Sequence, residues 1–186
     1  MVARDLDSIF TTDHVARMVG LEPKDKWRVI KFIQSNDYGI RPTLTDAAGS
    51  GSRRLYDLEN VCEIAVALRL LETGLRSMVI GRVIRQLRKK GKLSERLDSE
   101  GKGTEKLYLA ILRTPQAGKR LDEKRAQVVE WVSEVKQAED IRRQHPSCDL
   151  ILIPMGALFV ELSRAAIKEL KLRLQQLQSS QSKEGL

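Results

Sequence analysis

The sequence predicts a mainly helical protein with a small amount of β-structure, organised in two parts. Hydrophobic residues make up 41% of the 186 residues but aromatic residues only 4%, a balance typical of helices packed by aliphatic side chains. The N-terminal half contains two short amphipathic segments separated by a turn. The C-terminal half alternates between short apolar runs and longer segments of helical periodicity, which predicts a small α/β module.

Two short helices joined by a turn are predicted near the N-terminus. Thr12 or Asp13 can cap the first helix by accepting hydrogen bonds from free backbone N–H groups, and Gly20 can end it. Pro23 suits the first turn of a second helix over residues 24–35. Two such helices form a helix-turn-helix pattern. The residues expected to face inward are Val15, Ala16, Met18 and Val19 in the first helix, and Trp27, Ile30 and either Ile33 or Phe32 in the second.

A β-hairpin and two further helices complete the predicted N-terminal part. Segments 40–44 and 53–56 are short and extended, and the Gly- and Ser-rich stretch between them predicts a hairpin with a flexible tip, in the position of a wing. Asp57 is expected to cap a third helix that Gly74 ends. A fourth helix follows, and residues 1–92 are therefore predicted to form a winged helix-turn-helix domain. The expected inward residues are Val61, Ile64, Ala65, Leu68 and Leu71 in the third helix, and Met78, Ile80, Val83, Ile84 and Leu87 in the fourth.

A linker, an α/β module and a tail are predicted in the C-terminal half. Residues 93–104 are rich in Gly, Lys, Glu and Ser and predict the linker. Residues 105–178 predict a module with its own core, and residues 179–186 a flexible polar tail. The expected elements are a strand at 105–113, a helix at 121–143, a strand at 149–154 and a helix at 157–178. The first of these helices is expected to turn inward Val128, Trp131, Val132, Val135 and Ala138.

The last predicted helix carries a single apolar stripe. Its members are Leu158, Leu162, Ala166, Leu170, Leu174 and Leu177. Such a stripe suits either the sheet of the same module or a partner helix in a homodimer, and the pattern alone does not choose between the two.

The positive charge is concentrated in the N-terminal half. The net charge is +8, and division after Lys92 gives 17 basic minus 11 acidic residues, or +6, before it, and 16 minus 14, or +2, after it. This asymmetry indicates a polyanionic partner for the first half. The sequence has neither a membrane-spanning apolar run nor a signal-peptide pattern at its start, so a cytoplasmic protein is expected. The two cysteines, Cys62 and Cys148, are expected to be free thiols.

The segment at residues 52–61 carries a family resemblance. It reads Ser-Arg-Arg-Leu-Tyr-Asp-Leu-Glu-Asn-Val, and Leu68, the pair Gly74-Leu75, Ile80 and Ile84 follow it at ordered spacings. This set resembles the wing and closing helices of MerR-type bacterial transcription regulators, over residues 10–88. The family's usual Tyr-Tyr pair is replaced by Val29-Ile30. Gly91, together with Gly101 and Gly103, interrupts the long dimerisation helix of the family, so dimerisation is expected through the C-terminal module.

The resemblance implies that the protein binds double-stranded DNA. It also implies a nucleoid-associated bacterial homodimer that recognises a palindromic site. Arg54 and Tyr56 would clamp the DNA backbone beside the wing, and Thr12 would contact a phosphate. Arg28 would lie on the recognition helix, where side chains reach base edges. The remaining expected DNA-contacting residues are Lys24, Lys26, Lys31 and Arg53.

No catalytic, cofactor or metal site is predicted. His14 is expected at the surface or facing DNA, and the scattered cysteines and histidines do not supply the ligand spacing of a zinc site. The basic residues of the fourth helix and its end are a second phosphate-contacting surface or a solvated face; these are Arg82, Arg85, Arg88, Lys89 and Lys90. Two alternative functions stay open. One is a nucleoid-organising or recombination-directionality protein, and the other is a small-molecule sensor with its pocket beside strands 107–112 and 149–154. In a regulator, the C-terminal module would dimerise, bind a small-molecule effector or contact another protein.

Overall fold

The computed structural model describes residues 8–35, 37–45, 54–97, 106–113 and 126–184. Within them the chain is mainly helical, with two small antiparallel sheets of three strands each. The helices are α1 (Thr12–Met18), α2 (Trp27–Gln34), α3 (Leu58–Glu72), α4 (Ser77–Lys89), α5 (Val135–Gln144) and α6 (Gly156–Glu184). The strands are β1 (Ser8–Phe10), β2 (Leu44–Thr45), β3 (Arg54–Asp57), β4 (Tyr108–Arg113), β5 (Ala126–Val132) and β6 (Asp149–Pro154).

The first sheet contains the two strands predicted for the hairpin, although the first of them spans only Leu44–Thr45 instead of 40–44, and one strand that was not predicted. Strands β2 and β3 pair in antiparallel fashion, with Leu44 opposite Leu55 and Thr45 opposite Arg54. The predicted flexible tip between them lies outside the described residues. Strand β1 pairs with the other edge of β3, which makes β3 the central strand.

Helix α1 forms as predicted, with its cap one residue earlier. The Thr11 hydroxyl accepts a hydrogen bond from the backbone N–H of His14, and the ring of His14 accepts one from the backbone N–H of Thr11. This reciprocal capping satisfies two N–H groups that the helix leaves unpaired. The prediction of Thr12 or Asp13 as the cap was therefore wrong. Gly20 follows the helix with a φ of 73°, a left-handed conformation that suits glycine.

Helix α2 begins later than predicted and presents a different face to the core. Pro23 opens a short 3-10 turn, Pro23–Asp25, and the α-helix starts only at Trp27. Val29 is fully buried, whereas Trp27 is 54% exposed, so the prediction that Trp27 faces inward was wrong. The 3-10 turn comes first, so the α-helix begins only after it. In this register Val29 rather than Trp27 points at the core.

Helices α3 and α4 pack against each other as a pair. The Asp57 carboxylate caps α3 by accepting the backbone N–H of Asn60 at 2.7 Å, and Gly74 follows the helix with a φ of 80°, both as predicted. Every residue from 61 to 68 of α3 is buried, so this helix is enclosed on all sides. On α4 the prediction was wrong at one position, since Val79 is buried and Met78 is 49% exposed.

The second sheet has the order β5-β4-β6 and is entirely antiparallel. The predicted helix over 121–143 was wrong in its N-terminal part, because residues 126–132 form β5 and the helix begins only at Val135. The C-terminal order is therefore strand, strand, helix, strand, helix. The β-branched and aromatic residues of the sequence Ala-Gln-Val-Val-Glu-Trp-Val favour a strand once β4 supplies the hydrogen-bonding partner. Strand β6 has the predicted bounds, whereas α6 extends beyond them.

A single large core joins the two halves of the chain. It runs from Phe10 and the residues of α1 through α3 and α4 to Ile111, Phe159 and Ala166. A smaller cluster lies on the other face of the second sheet, under α5. The C-terminal elements therefore share a core with the N-terminal ones, in contrast to the separate core predicted for the module. Among the described residues, no helix combines the length and the apolar character needed to cross a membrane.

The first part of the predicted linker is folded into this core. Leu93 and Leu97 are buried on either side of a 3-10 turn, Ser94–Arg96. The Glu59 carboxylate on α3 accepts the backbone N–H groups of Leu93 and Ser94, each at 2.8 Å. A carboxylate that binds two backbone N–H groups fixes the path of the chain after α4. Residues 98–104 of the predicted linker lie outside the described residues.

Candidate nucleic-acid interface

Helix α1 holds both elements of the predicted interface. It contacts α2 on one side and β3, the central strand of the first sheet, on the other. Its first residue, Thr12, has its hydroxyl oxygen 3.4 Å from the hydroxyl oxygen of Tyr56 on β3. The helix that carries Arg28 and the strand that carries Arg54 are therefore anchored to the same short helix.

Tyr56 lies beneath the surface. Its ring is fully buried, and burial raises the pKa of its hydroxyl, which hydrogen-bonds to Thr12. The family resemblance implied that Tyr56 contacts the DNA backbone, and in this structure such a contact would require the ring to leave the core. Tyr56 instead positions the N-terminal end of α1, and Thr12, half-buried, is the member of the pair at the surface.

The predicted lysines are exposed, and two of them have acidic neighbours. Lys24 Nζ lies 2.7 Å from a Glu22 carboxylate oxygen, and Lys26 Nζ lies 3.1 Å from a carboxylate oxygen of Asp13. All four side chains are more than half exposed. Exposed ion pairs of this kind are worth about 0–1 kcal/mol, so a phosphate could replace either carboxylate at little cost. The third lysine, Lys31, lies over the ring of Trp27, 5.9 Å from its centroid.

Two of the three arginines predicted to contact DNA lie in the part of the chain that the structure describes. Arg28 on α2 and Arg54 on β3 are both half-buried. Part of each side chain is therefore open to solvent. Arg53 lies outside the described residues.

A charged cluster that the sequence did not predict joins α1 to α6. The Glu169 carboxylate on α6 is buried, and the Arg17 guanidinium donates to it at 2.8 Å across 152 residues of sequence. His14 Nε2 lies 3.4 Å from the same carboxylate oxygen. His14 was predicted at the surface or facing DNA, and it is half-buried against α6 instead. Such a long-range contact leaves no signal in the local sequence pattern.

The basic face of α4 is divided between a structural contact and an open surface. Arg88 donates hydrogen bonds from Nε and Nη2 to the buried Glu63 carboxylate and from Nη1 to the Gly39 carbonyl oxygen. Hydrogen bonding to Glu63 raises the pKa of Arg88. This arginine therefore ties α4 to α3 and to the segment before β2, rather than forming a solvated face. Arg85 and Lys89 remain exposed.

The structure brings no metal-binding constellation together in the part of the chain that it describes. No group of three or more His, Cys, Asp and Glu side chains could hold a metal ion there. Cys62 is fully buried in α3. Cys148 is half-buried at the start of β6.

Comparison with known proteins adds no identification: no protein-family model matches the chain, and no curated protein is significantly similar to it. The resemblance to MerR-type regulators therefore depends on the residues at positions 52–61 and on the spacing that follows them.

Proposed function

We propose that this protein is a DNA-binding transcription regulator with a MerR-like winged helix-turn-helix. In this proposal α1 and α2 form the helix-turn-helix, and the β2–β3 hairpin forms the wing. The observation that carries the proposal is the attachment of α2 and β3 to the same helix, α1, with the basic residues of both elements at least partly exposed. A wing and a recognition helix that share an anchor can contact adjacent stretches of one duplex.

Helix α2 has the properties expected of a recognition helix. Val29 fixes one face of it in the core, which leaves Trp27 and Lys31 exposed and Arg28 half-exposed. Arginine recognises guanine through two hydrogen bonds, and lysine neutralises phosphates. We assign base contacts to Arg28 and phosphate contacts to Lys24, Lys26 and Lys31.

The wing contributes Arg54, with Arg53 beside it in sequence. Arg54 lies opposite Thr45 in the β2–β3 ladder, at the end of the ladder where the described residues stop. A half-exposed arginine on such a strand can hold a phosphate oxygen while the strand itself stays fixed. Tyr56 is excluded from the direct contacts because its hydroxyl is buried.

A homodimer is part of this proposal, and α6 is the element that would form it. The predicted apolar stripe is divided: Leu162 and Ala166 belong to the core, whereas Leu174 is 55% exposed. Ile167, seven residues earlier and on the same face of the helix as Leu174, is also exposed. The N-terminal part of α6 thus packs within the chain, and its C-terminal part offers Ile167 and Leu174 to a second copy. Measurement of the mass in solution tests this: a monomer at micromolar concentration would contradict it.

The DNA contacts are tested by the salt dependence of binding. We expect Arg54→Ala to weaken binding to every duplex and to reduce the slope of log K against log salt by about one unit, because one phosphate contact is lost. Tyr56→Phe keeps the ring and removes only the buried hydroxyl, so it should leave the slope unchanged. Lys136→Ala, an exposed lysine on α5, controls for the loss of one positive charge. An equal loss of slope in Arg54→Ala and Lys136→Ala would remove Arg54 from the interface.

The regulatory role is tested separately by selecting bound duplexes from random sequences. A regulator should prefer its site over random DNA by a factor on the order of a thousand or more. An enriched palindromic motif supports a dimeric regulator. Strong binding without any enriched motif would contradict it and favour the nucleoid-organising or recombination-directionality alternative.

A further inference from the structure

A cavity of about 200 Å³ lies where the N-terminal and C-terminal elements meet. Its walls come from the C-terminal end of α4, the segment that follows it and strand β5. The lining residues are Leu87, Lys90, Gly91, Lys92, Leu93, Glu95, Arg96 and Trp131. Most of the segment after α4 belongs to the predicted linker, and the cavity exists only because that segment is folded into the core.

The charges around the cavity favour an anion. Lys90, Lys92 and Arg96 supply three positive charges, and Glu95 supplies one negative charge. The C-terminal end of α4 adds a partial negative charge of about half a unit. Lys92 and Arg96 alone exceed the combined negative charge of Glu95 and the helix end, so the lining is positive overall. This positive charge is concentrated in a space smaller than the roughly 300–1,000 Å³ of most ligand sites.

Arg96 and Trp131 form a cation–aromatic pair in the wall of the cavity. The guanidinium carbon of Arg96 lies 4.2 Å from the centre of the Trp131 ring, and Phe159 on α6 holds the other part of that ring, with the two ring centres 5.7 Å apart. A guanidinium that lies over an aromatic ring keeps its N–H groups pointing outward in its own plane. Those N–H groups match the spacing of two oxygens on a carboxylate or phosphate.

Arg96 is a half-buried cation, with the charge of Glu95 nearby. Burial is the main effect on this side chain and lowers its pKa, and it forms no salt bridge with any residue that the structure describes. A partly desolvated guanidinium gains more from an anionic partner than an exposed one does, because less water has to be displaced when the anion binds. By contrast, Arg88, which lines the neighbouring cavity, already donates hydrogen bonds to the Glu63 carboxylate.

We propose that the cavity between Arg96 and Trp131 binds a small carboxylate- or phosphate-bearing metabolite. Its oxyanion binds the outward N–H groups of Arg96, with Lys92 as a second cation, and its remainder lies along the Trp131 ring. This ligand site does not depend on the proposed DNA binding. One wall of the cavity is α4, which packs against α3 in the core of the N-terminal half. A ligand bound there would therefore contact the part of the chain that carries the proposed DNA-binding elements.

The fluorescence of Trp131 can measure ligand binding in the cavity. The chain has two tryptophans, so Trp27→Phe leaves Trp131 as the only tryptophan fluorophore. We expect inorganic phosphate or malonate, titrated at constant ionic strength, to change Trp131 fluorescence in a saturable way. The two probes distinguish a phosphoryl ligand from a carboxylate ligand. No saturation by either probe up to about 10 mM, about ten times a Kd of 1 mM, would overturn the proposal.

Variants show whether the binding belongs to this cavity. In the Trp27→Phe background, Arg96→Gln should weaken probe binding at least about tenfold, which corresponds to 1.4 kcal/mol. Lys92→Gln changes an exposed side chain, so it should keep the fold and still weaken binding. Arg142→Gln, an exposed arginine on α5, should have no effect. Equal binding of the probes by all three variants would overturn the proposal. A second contradicting result would be a change in Trp131 fluorescence that only duplex DNA produces and that Arg96→Gln abolishes.

Discussion

Gly81 is the position at which two segments of backbone approach most closely. A Cβ atom on Gly81 would lie 1.7 Å from the carbonyl oxygen of Asp37. The Ser77 hydroxyl donates a hydrogen bond to the Asp37 carboxylate at 2.9 Å, one turn earlier on the same helix. The segment before β2 is therefore held directly on the backbone of α4, and only glycine allows this.

We expect Gly81→Ala to lower the free energy of unfolding by about 3 kcal/mol, because the backbone at Asp37 must move. Gly74→Ala is the matched control. Gly74 has a φ of 80° but no atom within 4 Å of an added Cβ, so only backbone strain of about 1 kcal/mol is expected. Urea unfolding of both variants measures the difference. Similar losses in the two would show that α4 and the Asp37 segment are farther apart.

Cys62 is a second residue whose behaviour follows from burial. Desolvation, followed by the charge of Glu59, raises the pKa of its thiol, so it stays protonated well above neutral pH. The thiolate is the reactive form. We therefore expect one rapidly modified thiol, Cys148, when the native protein meets a disulfide reagent at pH 8. Two thiols should react after denaturation, and Cys148→Ser should abolish the rapid phase. Rapid modification of that variant would mean that α3 is not enclosed.

At the scale of elements, both ends of α3 were predictable, whereas the buried faces of α2 and α4 were not. Asp57 and Gly74 bound α3 as expected because capping depends on a few adjacent residues. Trp27 and Met78 face outward against expectation, because the buried face depends on what the helix packs against. Strand β5 shows the same dependence, since its residues form a strand only by pairing with β4, from which residues 114–125 separate it.

The cap of α3 gives a prediction at this scale. We expect Asp57→Ala to lower the free energy of unfolding by about 1 kcal/mol, because the backbone N–H of Asn60 loses its acceptor. Asp57→Asn retains a side-chain oxygen at that position and should cost much less. Thermal or urea unfolding of both variants checks this. A loss in Asp57→Asn as large as that in Asp57→Ala would indicate that the charge, and not the cap, is what matters.

At the scale of the whole molecule, the two halves are joined more closely than the sequence suggested. The core is continuous from α1 to α6, and the buried Glu169 on α6 binds Arg17 on α1. Leu93 and Leu97 extend this core through the segment expected to separate two domains. Elements that share one core unfold together.

We therefore expect a single cooperative unfolding transition. Far-UV circular dichroism reports all the helices, and Trp131 fluorescence in Trp27→Phe reports the second sheet. Both signals should give the same midpoint of unfolding in urea. Glu169→Ala leaves Arg17 without its buried partner, so it should shift both midpoints downward together. Glu139→Ala, an exposed glutamate on α5, controls for charge. Two separate transitions would contradict the shared core and restore the two-domain interpretation.

The sequence by itself determined the features that depend on neighbouring residues. The helical class, the ends of α3, the bounds of β6 and the pairing of the hairpin strands follow from caps, turn residues and local periodicity. The tertiary structure decided the rest: the burial of Tyr56, the contact of His14 and Arg17 with Glu169, and the folding of residues 93–97 into the core. Each of these depends on residues far apart in sequence, where only packing brings the partners together.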